Sequence, residues 1–492
     1  MTASCKADQG HWNETAGGIE RVCLFNGPRM SVFTFLSRSL PPLINIPGVT
    51  STICISQKLL RLYGLIFSDS TGVYAFGPEV LRSLRKLESL VDNKMLQLGA
   101  QRVLLPTLGP RHIWEKSGRW STMQSSLFRV KDRLSHEYCL QPTHEECITN
   151  FIACLNLSYK ALPVLMYQIT SKFRDEPHPK HGLVRGREFV MQDLYTFDAS
   201  AEAAEETYRH VKTAYSDLLV NLGLPYLVAS ADPGNVGGLI SEEFHVQADV
   251  GEDRILVCSK CSLKFNSELK VASSLCPLQS CPKVFNEVQG IEVAHCFLLG
   301  ERYSKCFDAT YQSPSGSKLM FMGCYGLGIS RLLAVCIEHL TRVAFPDKSK
   351  DQITQLRWPV RIAPYSGSIV LQKETAKDSV NPDELKYILD TIQSDSINFK
   401  LLGDILVDDR KELSLGRKIL DQSRLGIPWI LIVKSQRDGT YELIDVYKDR
   451  SCVATLEQAR FAFSNPAVFD ASSLPSWDHR QNERNINGNK LI

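Results

Sequence analysis

The sequence lacks any run of about 18 apolar residues, so it offers no transmembrane helix. It also lacks net charge: 56 Lys and Arg against 54 Asp and Glu leave a formal +2. That excludes a polyanion-attracting field spread over the whole molecule, and any nucleic-acid contact has to come from a local basic surface. A secretory signal is missing too, and the 15 cysteines are an odd number spread through 492 residues. This pattern excludes a disulfide framework and points to reduced thiols in a cytosolic or matrix compartment. From Met30 to Ser68 there is no Asp or Glu, while Arg38, Lys58, Arg61 and many Ser and Thr are present. An Arg- and Ser-bearing stretch poor in acids has the composition of an organelle leader, with a plain polar extension as the alternative. Asp8, Glu14 and Glu20 fit targeting badly, which makes Met30 a second candidate start.

What remains is an ordinary globular composition long enough for two or three domains. Residues 1–50 read as an extension, 51–345 as a first folded unit, 346–358 as a polar linker, 359–470 as a second unit and 471–492 as a disordered tail. The first unit opens with helical spacing of Leu59, Leu60, Tyr63 and Ile66. A strand at GVYAF follows, then an amphipathic helix with Pro78 in its first turn and Gly99 at its end. A strand interrupted by Pro106 leads to WEKSGRW, and a hairpin over residues 127–140 delivers the chain to QPTHEE, residues 141–146. There the acids Glu145 and Glu146 suit the first turn of a helix. A long helix from about Ala201 to Leu222 precedes strands and a cysteine-bearing segment. Cys258-x2-Cys261 with Cys276-x4-Cys281 has the look of a zinc ribbon with an overlong second knuckle, against a metal-free relic with free thiols. The second unit alternates apolar strands with helices, which predicts a compact α/β domain. In it, Asp408-Asp409-Arg410 precedes a helix carrying Arg417, Lys418 and Arg424, a local basic face or simply a solvated one.

The densest stretch runs from Tyr167 to Asp198, YQITSKFRDEPHPKHGLVRGREFVMQDLYTFD. Alternation puts Gln168, Thr170, Lys172, Arg174 and Glu176 on one strand face, with Tyr167, Ile169 and Phe173 on the other. A charged face backed by an apolar one suits a sheet lining a site for a polyanion; a solvated hairpin is the plain alternative. Further on, KLMFMGCYGLGISR reads as a strand, a glycine turn at Gly323, Gly326 and Gly328, and a helix with Arg331 in its first turn.

The order F-R-x-E, loop, R-x-R-E-F resembles motif 2 of class II aminoacyl-tRNA synthetases. The helix, strand and proline before WEKSGRW resemble motif 1, and G-x-G-x-x-R with Arg331 resembles motif 3. QPTHEE and MGCYG are similar to the prolyl-tRNA synthetases, most of all their mitochondrial form. The resemblance implies an α+β fold: a class II catalytic domain on an antiparallel sheet, plus a C-terminal α/β anticodon-binding domain. It implies ATP-dependent activation of proline and its transfer to tRNA(Pro), in a homodimer of the mitochondrial matrix, or failing that the cytoplasm. Carried over by motif, Arg174 would bridge the proline carboxylate and the α-phosphate, and Arg331 would join it in catalysis. Thr143, Glu145, His295, Gly323 and Cys324 would line the proline pocket. Glu176 would accept from the adenine amino group, Arg185 and Arg331 would hold the outer phosphates, and Glu292 would ligate Mg2+. Asp409, Arg410, Arg417 and Lys418 would meet the anticodon. Two other readings stay open: an inactive synthetase-like nucleic-acid-binding accessory protein, and a synthetase for another amino acid such as threonine. Thr143-x-Glu145 and MGCYG argue against the latter. Retention of F-R-x-E, T-x-E and the motif 3 arginine together argues against the former. The gap from Asp193 to Gly323 leaves no room for an inserted editing domain.

Overall fold

The period-two alternation around Tyr167–Asp198 becomes the centre of a nine-stranded, mostly antiparallel sheet in the computed structural model of the protein. The structure describes residues 33–38, 54–261, 263–269, 284–376, 379–393, 404–434, 439–469, 472 and 474. Strands Val164–Phe173 and Glu188–Asp198 pair from Val164 opposite Phe197 to Phe173 opposite Glu188. Glu188–Asp198 then pairs with Phe321–Leu327, and that strand with Phe285–Gly300. Phe285–Gly300 forks: 285–290 run beside Asp253–Cys258, and 290–298 beside Ile240–Gln247. The short strand Gln101–Arg102 closes the far edge, parallel to Val164–Phe173.

Because side chains alternate along each strand, one face of this sheet is free to be apolar and the other polar. Tyr167, Leu194, Val293 and Tyr325 point to the apolar face. There they pack with helices Pro78–Gln97, Ala201–Asn221 and Ile329–Ala344 in the largest core. Each fully buried aliphatic side chain there contributes ~1.5–3 kcal/mol. Two of these helices start where their sequences dictate. Pro78 occupies the first turn after Gly77, and the Ser200 hydroxyl accepts from the Ala203 N–H. The opposite face carries Gln168, Lys172 and Asp193 and becomes the floor of a cavity.

A second sheet has six strands, in the order Phe33–Phe35, Ile405–Asp408, Gly367–Leu371, Trp429–Val433, Tyr441–Asp445, Arg450–Ala454. The first four run parallel and the last two antiparallel. Its strands are apolar on both faces, as a sheet covered on both sides requires. Ile369, Leu431 and Val433 pack with helices Pro382–Gln393 and Leu456–Ser464, while Val370, Ile430 and Ile432 pack toward Leu415 and Ile419 of helix Leu415–Leu425. Gly367 has to be glycine, since an added Cβ would lie 2.1 Å from the Phe463 ring.

Three expectations need correction. Residues 33–38 lie inside the expected extension, yet Phe33–Phe35 forms the edge strand of the second sheet, with Phe33 and Leu36 buried. Its backbone supplies the parallel partner that Ile405–Asp408 would otherwise lack on that side. The acid-free stretch ends in folded structure too: helix Ile55–Leu62 buries Ile55, Leu59 and Leu60, and Ile66–Ser70 is a strand. A leader reaching to Ser68 would therefore remove a core helix. The polar linker is packed as well, with Ile353, Leu356 and Trp358 fully buried. The Lys58 ammonium donates to the carbonyls of Lys350, Asp351 and Ile353, at 2.7, 2.9 and 3.2 Å. The rest of the expected extension up to residue 50 lies outside the described residues, as does the expected tail apart from 472 and 474. Among the described residues no helix is long and apolar enough to cross a membrane.

Candidate active site

The polar face of the large sheet opens into a cavity of ≈ 520 Å³. Its walls come from the loop after Val164–Phe173, the start of helix Glu145–Ala153, strand Phe285–Gly300 and the turn before helix Ile329–Ala344. At one corner Glu145 is buried and held from three sides. The Thr143 hydroxyl donates to Glu145 Oε1 at 2.6 Å, the Cys324 thiol donates to the same oxygen at 3.1 Å, and Arg119 Nη1 donates to Oε2 at 2.8 Å. Burial by itself raises the Glu145 pKa, but Arg119, Thr143 and Cys324 outweigh it and bring it below the ordinary carboxylate value. The corner therefore presents an ionised carboxylate beside a hydroxyl that gives its proton to Glu145, lies 3.4 Å from the Tyr195 hydroxyl and keeps a lone pair to accept with. That pair is suited to a cation with two N–H donors.

Beneath it lies a dry polar layer. The Lys172 ammonium, fully buried, sits 2.6 Å from Asp193 Oδ1, and Gln168 Nε2 donates to Asp193 Oδ2 at 2.9 Å. Burial lowers the His144 pKa to about 4, so its imidazole is neutral at pH 7. The His144 N–H donates to the Tyr195 hydroxyl at 2.9 Å, which fixes the start of the helix that carries Glu145.

The other side of the cavity is cationic. Arg331 Nη1 donates to the Glu292 carbonyl at 2.8 Å and to its Oε2 at 3.0 Å, while Nε donates to the Val184 carbonyl at 2.8 Å. His295 Nδ1 lies 3.0 Å from Glu292 Oε1, and the ring stacks on Phe297 with centroids 3.8 Å apart. Burial pushes the Glu292 carboxyl up, yet His295 and Arg331 hold it well below the usual carboxylate range. Arg185 binds Glu176 Oε2 through Nε at 3.0 Å and also pairs with Glu252. Arg174 differs from all of these. Among the described residues its side chain makes no hydrogen bond or ion pair, and its guanidinium lies 5.2 Å from the Phe189 ring. The protein around it, and then the like charge of Arg331, push its pKa down. A cation held without a counterion inside a cavity is a ready-made anion site.

The tRNA synthetase class II core domain shared by the G, H, P, S and T enzymes matches residues 128–340. The chain is 40% identical over 429 residues to a probable mitochondrial proline–tRNA ligase of Rattus norvegicus, covering 85% of this chain and 87% of that one. The chain belongs to the proline–tRNA ligase family. A probable mitochondrial proline–tRNA ligase of Homo sapiens is 42% identical over 382 residues, 77% of this chain and 78% of that one. The fold matches a prolyl-tRNA synthetase of Giardia lamblia, solved with prolyl-adenylate, at a TM-score of 0.66 and 19% identity, over 82% of this chain and 75% of that one.

Of the residues expected from sequence, Thr143, Glu145, Arg174, Glu176, Arg185, Glu292, His295, Cys324 and Arg331 all line the one cavity. Gly323 does not. It has the opposite strand parity from Cys324, and a Cβ there would meet the Tyr325 hydroxyl at 2.3 Å and Thr196 Oγ1 at 2.8 Å, on the far face. Gly326 takes the cavity position instead. The basic face in the second sheet's domain also needs correction. Lys418 is buried, and its ammonium donates to the Leu371 carbonyl at 2.7 Å and the Asp408 carbonyl at 3.4 Å, so it is not offered to a ligand. Arg410 is held by Asp408 and Asp421, and Asp409 accepts the Ser37 N–H at 2.8 Å. Arg417 alone of this set keeps a half-exposed side chain, with Nε 3.1 Å from Asp421. Cys276 and Cys281 of the expected zinc set lie outside the described residues. Cys258 ends a strand and Cys261 sits in the hairpin turn that follows.

Lys172, placed by alternation on the charged strand face, lies under the cavity, whereas sequence reasoning missed Arg119, Asp193, Glu243 and Phe297, all of them lining it. Only Arg119 left a signal, as the single cation in the word WEKSGRW that stands between glycine and tryptophan.

Proposed function

We propose that the chain activates proline with ATP and transfers it to the 3′ end of tRNA(Pro). A proline carboxylate oxygen attacks the α-phosphorus, the bond to the β-phosphate oxygen breaks, and pyrophosphate leaves. A hydroxyl of the terminal ribose of tRNA then attacks the adenylate carbonyl, and AMP departs. Neither step needs a protein nucleophile; both need positioning and neutralisation of phosphate charge. The observation that carries this reading is Arg174, a cavity arginine with no ion pair among the described residues, in the same chamber as an amine corner and two further arginines, Arg185 and Arg331. Glu145 and Thr143 take the secondary ammonium. Arg174 takes the carboxylate and the α-phosphate, Arg331 and Arg185 the outer phosphates, and Glu176 the adenine amino group.

Magnesium fits this site by donor chemistry. Glu243, Glu292 and His295 bring candidate ligand atoms within 4.8 Å of one another, and two of the three are hard carboxylate oxygens. Bound there, the ion supplies charge neutralisation to phosphate oxygens. Zinc at Cys258, Cys261, Cys276 and Cys281 is a separate part of the proposal, checked by the metal content of the purified protein. Dimerisation also belongs to it. Leu104 and Leu108, next to the sheet's edge strand, stand 83% and 47% exposed, apolar surface that a second copy would cover. The mitochondrial matrix is the proposed compartment, in keeping with the names of the Rattus norvegicus and Homo sapiens relatives. The test is charging of tRNA(Pro) with labelled proline. Label in the tRNA that requires both ATP and enzyme supports the reading, and its absence overturns it.

A further inference from the structure

We infer that Arg119 is a positioning residue for the amino-acid substrate: it sets the amine corner at one net negative charge and aims Glu145 into the cavity. This rests on the reading above and deepens it.

Glu145 and Glu146 are neighbours in the first turn of one helix, and both are buried. Two adjacent carboxylates in a dry site cannot both stay ionised without a cation. Arg119 is that cation, itself 1% exposed. A single nitrogen, Nη1, reaches both acids, at 2.8 Å from Glu145 Oε2 and at 3.1 and 3.2 Å from the two oxygens of Glu146. Burial leaves the Glu146 pKa above the ordinary carboxylate value although Arg119 and Ser117 pull it down. With both acids ionised, two negative charges and one positive leave one negative charge over. A proline ammonium brings the matching positive charge, and the occupied corner is neutral.

The two acids are not equivalent. Glu146 takes a further hydrogen bond from the Ser117 hydroxyl at 2.7 Å, and it does not line the cavity. Glu145 does line it. With Arg119 on Glu145 Oε2, the remaining oxygen, Oε1, is the one beside Thr143, where the substrate amine is to be held. Arg119 is fixed from behind. Gly118 has φ +75, a left-handed conformation that turns the chain so that Arg119 enters the interior. The guanidinium carbon lies 5.2 Å from the Trp114 ring and 5.8 Å from the Tyr303 ring. Nε and Nη2 find no hydrogen-bond partner among the described residues. All of the side chain's hydrogen bonding therefore passes through Nη1 into the two glutamates, which is the signature of a charge-setting role and not of a scaffold.

The experiment compares Arg119→Met, Arg119→Lys, Glu146→Gln and the double variant Arg119→Met/Glu146→Gln with wild type. It reads proline-dependent and ATP-dependent pyrophosphate exchange together with melting temperature. Arg119→Met is expected to raise the KM for proline about 100-fold while the KM for ATP stays within about threefold, since the lost cation faces only the amine corner. Arg119→Lys keeps the charge and should lose about tenfold or less. The double variant restores one net negative charge, so it should regain at least about tenfold in the KM for proline over Arg119→Met and melt at a higher temperature. If Arg119→Met fails to fold, recovery of a folded, proline-activating double variant supports the inference by itself. Unchanged KM for proline in Arg119→Met, or a double variant no better than the single in both KM and melting, would overturn it. Wild-type protein without proline-dependent exchange would overturn the parent reading. The charge-setting role of Arg119 would then be decided by melting alone: the double variant above the single supports it, and no difference overturns it.

Discussion

The cavity of the large sheet and the basic helix of the second sheet look alike in sequence, since each brings arginines and lysines beside acids. In the structure they are opposites. Around helix Leu415–Leu425, Lys418 ends on backbone carbonyls, and Arg410 is closed off by Asp408 and Asp421. The buried Asp408 also takes Gln422 Nε2 at 3.1 Å. In the cavity Arg174 has no partner of its own among the described residues, and the Glu145 corner holds an ionised carboxylate that lines the cavity. Cations bound up in the fold stabilise the fold, and a cation held apart from any acid is available to a ligand. The comparison ranks the two regions: the cavity is built for chemistry, whereas the helix face is mostly built for its own domain.

Substitutions can break that ranking, and the largest effect belongs to Arg174. Arg174→Ala should reduce adenylate formation about 100-fold or more, a cost of ~3 kcal/mol in the transition state, with the melting temperature unchanged. Exchange within about threefold of wild type would remove Arg174 from the mechanism. Next comes deletion of residues 1–38, which strips Phe33 and Leu36 from their cores. Each buried side chain is worth up to ~1.5–3 kcal/mol, so the second domain should melt earlier while proline-dependent exchange persists. Identical melting curves for this form and one starting at residue 33 would show that the edge strand contributes nothing. Lys418→Ala should cost about 1–3 kcal/mol of stability by orphaning the Leu371 carbonyl and the buried Asp408 carbonyl. Its effect on the KM for tRNA, measured well below the melting range, should be no larger than that of Arg417→Ala. A selective loss of tRNA affinity in Lys418→Ala would reverse the comparison. The smallest effect is that of Arg417→Ala, whose half-exposed pair with Asp421 is worth ~0–1 kcal/mol to the fold. If this residue contacts RNA, the KM for tRNA should rise a few-fold and more steeply with salt, and flat salt dependence would exclude a phosphate contact.

How much was legible follows from what a one-dimensional pattern can carry. The Tyr167–Asp198 hairpin was readable because period-two alternation and charge spacing are local, and the strands keep that register. Thr143 and Glu145 were readable for the same reason, at a helix start. Arg119 could not be assigned a role, because its partners Glu145 and Glu146 lie 26 and 27 residues away and meet it only in three dimensions. Gly323 was misplaced by one residue of strand parity, which sequence cannot set without knowing which face is wet. Lys418 was misread since a helix shows the same residues whether its cations face water or fold back onto carbonyls. The supposed linker hid Ile353, Leu356 and Trp358 among polar neighbours without a period, and a three-residue edge strand at Phe33–Phe35 is too short to announce itself.

On the proposed function, this cavity selects proline by one ammonium, one carboxylate and shape. Pyrophosphate exchange measured with each of the twenty amino acids tests it most directly. Proline should lead by far, with alanine and cysteine detectably activated behind it, because apolar packing alone discriminates by only about 10–200-fold. Exchange led by threonine or any other amino acid, or none with proline, would contradict it.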